Sequence, residues 1–153
     1  MTKLAAPTQL SGDVDVEINS LELDSTPTTN QTGHGTIVSA TVDVNTNGFG
    51  NAMHLDTDGN WVDARANSAT TMPCQAIALE SGTGTKKLLL LGPVRNDSWN
   101  WTVGAPIYAS DTTAGLFTQT IPAGSGDQVQ IVGYALSADV IFFNPDYTIV
   151  EIV

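Results

Sequence analysis

The chain has 153 residues and a mass of 16.0 kDa, the size of one ordinary domain. Only 14% of its residues are charged, and acid dominates: 16 Asp and Glu against 5 Lys and Arg, a formal net charge of −11. That balance excludes ordinary nucleic-acid binding, which needs cations to displace phosphate counterions, and it opposes docking on anionic lipid.

The 41% of hydrophobic residues separates the chain from disordered acidic tails. Thr, Ser, Asn and Gly replace the missing charge, as on strand faces that are hydroxylated rather than ionic. Cys74 is the single cysteine, so no intramolecular disulfide and no Cys/His metal cluster can be drawn. The start, Met1-Thr2-Lys3-Leu4, is not followed by the apolar core of a signal peptide, and no run approaches the ~20 residues of a membrane helix. Synthesis in a cytoplasm is therefore expected.

Residues 1–12 and 24–35 are rich in Thr, Asn, Gln and Pro and hold little to bury. Between them, Asp13-Val14-Asp15-Val16-Glu17-Ile18 alternates strictly, with three acids on one face and Val14, Val16 and Ile18 on the other. Two readings stay open: an arm that lies on another subunit, or a first strand with a tail and a long loop. Val38, Ala40, Val42 and Val44 then alternate with polar residues. Further strands are expected at 52–55, 61–64, 74–80, 86–91, 106–109, 116–120, 128–136, 139–143 and 147–153. Turn chemistry at Asn47-Gly48, Asp58-Gly59, Gly82-Thr83-Gly84, Ala114-Gly115, Gly124-Ser125-Gly126 and Asn144-Pro145 separates them. The stretch 63–69 reads as a loop or a single turn. The expected fold is all-β: a small β-barrel or β-tulip-like domain over 36–153, preceded by an extended arm with one strand over 1–35.

A pattern recurs at an offset of about 55 residues. Gly50, Ala52–Leu55, Gly59, Trp61, Ile77-Ala78-Leu79 and Leu88–Leu91 match Gly104, Pro106–Ala109, Gly115, Phe117, Tyr134-Ala135-Leu136 and Val140–Phe143. Two such units are expected to close one small barrel about a pseudo-dyad.

Candidate chemistry is sparse. Cys74, inside Met72-Pro73-Cys74-Gln75-Ala76-Ile77, reads as a buried small hydrophobe rather than a nucleophile, with only His34 and His54 as bases. Asp56-Thr57-Asp58-Gly59-Asn60 lacks the spacing of a helix–loop–helix calcium loop and reads as a hairpin turn. Glu80 to Lys87 lacks phosphate-loop spacing; its Lys86 and Lys87 are the one basic pair and a candidate contact with an acidic neighbour. Asn30-Gln31-Thr32, Asn96-Asp97-Ser98 and Asn100-Trp101-Thr102 match a glycosylation sequon, which carries no weight without a secretory signal. No catalytic, metal or cofactor set emerges, so no enzyme and no cofactor is expected. In Arg95-Asn96-Asp97-Ser98-Trp99-Asn100-Trp101, the two Trp would share one face of a strand. They read as a subunit interface, as a sugar-stacking platform, or as caps on the core.

Residues from about 48 to 153 resemble a recurrent family of tailed-phage structural proteins, which includes head decoration (cement) proteins and the ends of fibre-like chains. The resemblance rests on Gly50 to Trp61, Ala69 to Cys74, Ala78 to Lys87, Arg95 to Gly104, Gly115 to Thr120, Gly126 to Ser137 and Phe143-Asn144-Pro145. It implies a homotrimer on the capsid exterior, made in the host bacterial cytoplasm, that binds the major capsid protein and stabilises the head. It implies no nucleic acid, no membrane and no catalytic residue. The extended arm of such proteins adds a strand to a capsid edge, which here gives Leu4, Val14, Val16 and Ile18 as capsid contacts. Trp99, Trp101 and Arg95 become candidate subunit contacts, and Lys86 and Lys87 candidate capsid contacts. The alternative is a small fibre or receptor-binding domain that recognises host surface glycan.

Overall fold

Alternation of apolar and polar residues becomes strand along nearly the whole chain. The computed structural model describes residues 26–46 and 48–153. Its strands are β1 (Thr32–Gly33), β2 (Thr36–Thr46), β3 (Ala52–Leu55), β4 (Trp61–Asp63), β5 (Ala76–Ala78) and β6 (Gly82–Arg95). They continue as β7 (Pro106–Ala109), β8 (Phe117–Thr118), β9 (Gln128–Val129), β10 (Ile131–Ala135), β11 (Val140–Phe143) and β12 (Val150–Glu151). A 3-10 turn, Ala69–Thr71, capped by the Ser68 hydroxyl, is the one helical element among the described residues.

Five strands close a barrel in the order β2-β4-β3-β5-β6, with β6 pairing back onto β2. The closing contact is a parallel pair, Val42 opposite Trp61. Val42, Met53, Ala76, Ala78 and Leu88 fill the interior, with Val38, Ala40, Trp61 and Leu90 against them. Ala76 and Ala78 are small where Met53 and Leu88 are large, as a narrow barrel requires. The alternate residues of the same strands point outward. Ile77 and Leu89 thus join Val94, Ile107, Val132, Ile141 and Phe143 in a second, larger core. That core lies under a second sheet, β6-β11-β10-β7-β8, all antiparallel.

β6 serves both sheets. It pairs with β5 up to Leu89 and with β2 up to Leu91, then with β11 from Gly92 and with β1 from Val94. The crossover falls where the β2 register slips, between Thr36–Leu91 and Ile37–Leu89. Gly35 and Gly92 face each other there at φ +131° and +136°. A Cβ on Gly92 would lie 2.1 Å from the His34 carbonyl oxygen, so no larger residue fits.

The internal repeat is real in topology. The first unit pairs as β4-β3-β5-β6 and the second as β8-β7-β10-β11. Gly50 N–H donates to the Ala78 carbonyl at 2.8 Å, and Gly104 N–H to the Ala135 carbonyl at 2.8 Å, at matching positions. The units meet through their last strands, β6 and β11. They do not close one barrel together. β2 closes the first unit alone, because it bridges β4 and β6; the second unit stays an open sheet against it. A ring of backbone bonds locks the seam: Ala64 to Ala52, Ala52 to Gly115 and Gly115 to Ala64, each 2.8 Å.

Several boundaries differ from expectation. β6 begins at Gly82, where Gly-Thr-Gly-Thr suggested a turn, because β2 offers it a partner as far as Thr46. The expected strand 128–136 breaks at Gln130, which turns inward. Residues 30–35, grouped with the arm on composition, run antiparallel along 92–97: Gly33 pairs with Val94, and His34 N–H donates to the Pro93 carbonyl at 2.9 Å. These contacts are made by backbone, so side-chain composition does not reveal them. Leu4, Val14, Val16 and Ile18 lie outside the described residues.

Gln130 is 1% exposed and acts as a surrogate strand. Its Oε1 accepts from Cys74 N–H at 2.8 Å, while Nε2 donates to the carbonyls of Cys74 at 3.0 Å and Asp146 at 2.7 Å. Removing it strands buried backbone groups without partners. Gln130→Ala should cost on the order of 2–4 kcal/mol, read as a lower midpoint in urea unfolding.

Candidate functional site

The tryptophan segment leaves β6 in a turn, not in a strand. Asn96 sets it: its Oδ1 accepts from Ser98 N–H at 3.0 Å and from Ser98 Oγ at 2.7 Å, and its carbonyl accepts from Trp99 N–H at 3.0 Å. Trp101 N–H reaches the Ala138 carbonyl at 2.8 Å. The two indoles still meet, with centroids 5.7 Å apart and planes inclined at 52°. Trp99 meets Phe117 edge-on at 6.4 Å, and Phe117 meets Phe143 at 6.4 Å. An aromatic file thus runs from the half-buried tryptophans into the larger core.

A cleft of about 540 Å³ opens beside this file. Phe49, Trp99, Trp101 and Phe117 give it an aromatic wall. Asn30, Gln31, Asn51, Asn96 and Ser98 are its polar lining residues. None of its lining residues is charged, in a chain of net charge −11. Three stretches distant in sequence join the tryptophan turn to build it. The strand pairing of residues 30–35 brings in Asn30, whose Oδ1 accepts from Asp97 N–H at 2.9 Å. The approach to β3 brings Phe49 and Gly50, and a Cβ on Gly50 would sit 3.0 Å from Trp99 Cζ2. The β7–β8 hairpin brings Phe117.

Two features of the cleft are unusual. Gln31 has φ +54°, the one positive value at a non-glycine among the described residues. Trp101 Nε1 is buried and has no hydrogen-bond partner. A second recess of about 600 Å³ shares Gln31, Gly48 and Phe49 and continues toward Glu80, Ser81 and Lys86.

The other candidates fall elsewhere. Arg95 stands at the end of β6, its Nε 2.6 Å from Asp97 and its terminal nitrogen 3.2 Å from Asp139, so its charge is engaged within the chain. Lys86 and Lys87 are adjacent in β6 and therefore point to opposite faces, which breaks up the expected basic pair. Lys86 lines the second recess; Lys87 is exposed, with its N–H held by Glu80 Oε2 at 2.9 Å. Asp56 caps its own turn, with Oδ1 accepting from the N–H groups of Asp58 and Asn60 at 2.9 Å each, the hairpin that Asp58-Gly59 predicts. Among the described residues, no group of three or more His, Cys, Asp or Glu stands together as a metal set.

Sequence reasoning found Trp99 and Trp101 but not their companions. Asn30 and Gln31 sat in a stretch read as arm, and Phe49 lay outside any motif. Phe117 was visible in its match to Trp61 in the internal repeat and in the expected strand 116–120, but not as a companion of the tryptophans. No family model, curated protein or solved structure matches the chain.

Cys74 and His54 are both buried outside the cleft. Burial pushes the Cys74 thiol up from 9.0 to about 12, outweighing backbone contacts at Met53 and Ala76 that act the other way. Burial also lowers the His54 pKa below 6.5, against smaller opposing effects of Leu55, Asp56 and Asp63. The signs are opposite on the pH axis. The raised Cys74 contributes stability that is complete below pH ~9 and lost as pH rises toward ~12. The lowered His54 contributes stability that is complete above pH ~6.5 and lost as pH falls through its folded value. The urea midpoint should therefore decline above pH ~9, and Cys74→Ala should flatten that decline. Native Cys74 should resist a disulfide reagent at pH ~8 and react once the chain is unfolded.

Proposed function

We propose that this chain is a structural protein of tailed-phage virions, a decoration protein that binds the outside of the major capsid lattice as a homotrimer and stabilises the head. The observation that carries the reading is spatial. Three of the stretches that together carry the resemblance to phage virion proteins, Gly50 to Trp61, Arg95 to Gly104 and Gly115 to Thr120, lie along one cleft and one inter-unit seam. A framework of two fused β units with short turns suits a part that adds rigidity to a lattice.

In this reading the described body is the trimer-forming part. Residues 1–25 precede the first described residue and carry the alternating Val14, Val16 and Ile18 that strand addition to a capsid edge would use. Lys87, exposed on β6, is a further capsid contact. Many weak contacts on a lattice sum through multivalency, so each arm needs only modest affinity. The protein performs no catalytic step in this role, and it works on the capsid exterior after synthesis in the host cytoplasm.

Counting this chain against the major capsid protein by quantitative mass spectrometry of purified virions tests the reading. Near-equal copies, or a fixed number per capsomer, are expected. A handful per particle would point to a fibre, and absence from particles would sink the virion role altogether. Deleting residues 1–24 should leave a folded trimer that no longer binds capsids; a monomeric or unfolded product would place that stretch in the trimer core instead.

A further inference from the structure

We infer that the cleft beside Trp99 and Trp101 is a binding site for a neutral oligosaccharide, a property independent of the virion reading. Sugar rings present an apolar C–H face and a rim of hydroxyl donors and acceptors. The cleft presents the complement: aromatic rings of Phe49, Trp99, Trp101 and Phe117 beside the amides of Asn30 and Gln31. Its volume of about 540 Å³ falls within the range of small-molecule sites.

Charge decides the class of ligand. Among the described residues, no acidic or basic side chain lines this cleft. A cationic ligand finds no counter-charge there, and an anionic glycan finds no cation and a repelling molecule around it. A neutral polyhydroxylated ligand meets neither obstacle. Its rim hydroxyls also match side-chain amides, which carry both donors and an acceptor, although the Asn30 oxygen already accepts from Asp97 N–H.

Gln31, which lines the cleft, holds a left-handed backbone, a conformation that costs energy and that glycine would adopt freely. The turn that presents the indoles is fixed by the Asn96 hydrogen bonds, so the platform is organised before any ligand arrives.

Tryptophan emission and calorimetry with the full chain test this, using hexasaccharides of glucose, mannose, galactose and N-acetylglucosamine, with a heparin fragment as the charged comparator. At least one neutral member should bind saturably below about 10 mM and shift the emission, and heparin should not bind. Gln31→Gly keeps the backbone conformation and removes the amide, so it should weaken binding at least about fivefold while leaving thermal unfolding unchanged or raised. Trp99→Phe should weaken binding and reduce the emission change. Failure of every neutral member to saturate overturns the proposal, as does binding that both variants leave within about twofold. Binding seen only after deletion of residues 1–24 also overturns it, by making the cleft the seat of the chain's own N-terminal segment.

Discussion

One strand belongs to two sheets, and the rest of the molecule is arranged around that fact. β6 is fourteen residues long, well beyond the usual strand. Its first half closes the barrel and its second half opens the flanking sheet. A strand cannot do both while straight. The register slip beside Leu90 and the contact of Gly92 with Gly35 let it change neighbours. Because the slip changes which residues face inward, Leu88 points into the barrel while Leu89 and Val94 both reach the second core.

The two cores are unequal for the same reason. The barrel interior is narrow and is filled by small residues with Met53 and Leu88 between them. The larger core takes the outward residues of the barrel, the inner face of the second sheet and the aromatic file ending in Phe143. Each buried large side chain is worth roughly 1.5–3 kcal/mol, so most of the apolar stabilisation sits in the seam between the units. This explains why the seam is also bound by backbone hydrogen bonds at Ala52, Ala64 and Gly115 and bridged by Gln130. A slip there would expose the core on which both units depend.

Much of this was legible in the sequence. Val38, Ala40 and Val42 share the interior face that their alternation predicts. Gly50 and Gly104 make the same hydrogen bond in each unit, as their place in the repeat predicts. What was hidden depended on a partner strand. Gly82 to Thr85 is turn by composition and strand only because β2 lies alongside. Barrel closure rests on one parallel contact, Val42 with Trp61, which no local pattern announces. Residues 30–35 join the body through backbone groups, and Gln130 reads as surface until its three partners are seen. At the site, the Trp99–Trp101 pair was visible, though through a strand periodicity that a turn replaces.

The position of the cleft follows from the fold. The repeat gives each unit a glycine before its outgoing strand, at Gly50 and Gly104. At Gly104 nothing lies near a would-be Cβ, whereas at Gly50 the Trp99 ring covers it. The symmetry is broken there because the link between the units, residues 96–105, carries the two tryptophans. Its backbone is bonded to the second unit, at Asp139, Ala138 and Ala135, while the Trp99 ring reaches the first at Gly50, and residues 30–35 run along the end of β6. A duplicated framework with one asymmetric linker therefore makes one aromatic cleft at the Gly50 end. Its wall is shared among β1's approach, the entry to β3, the linker and β8, so displacing any of these elements would reshape it. That ties the geometry of the cleft to the same β6 junction that holds the two sheets together.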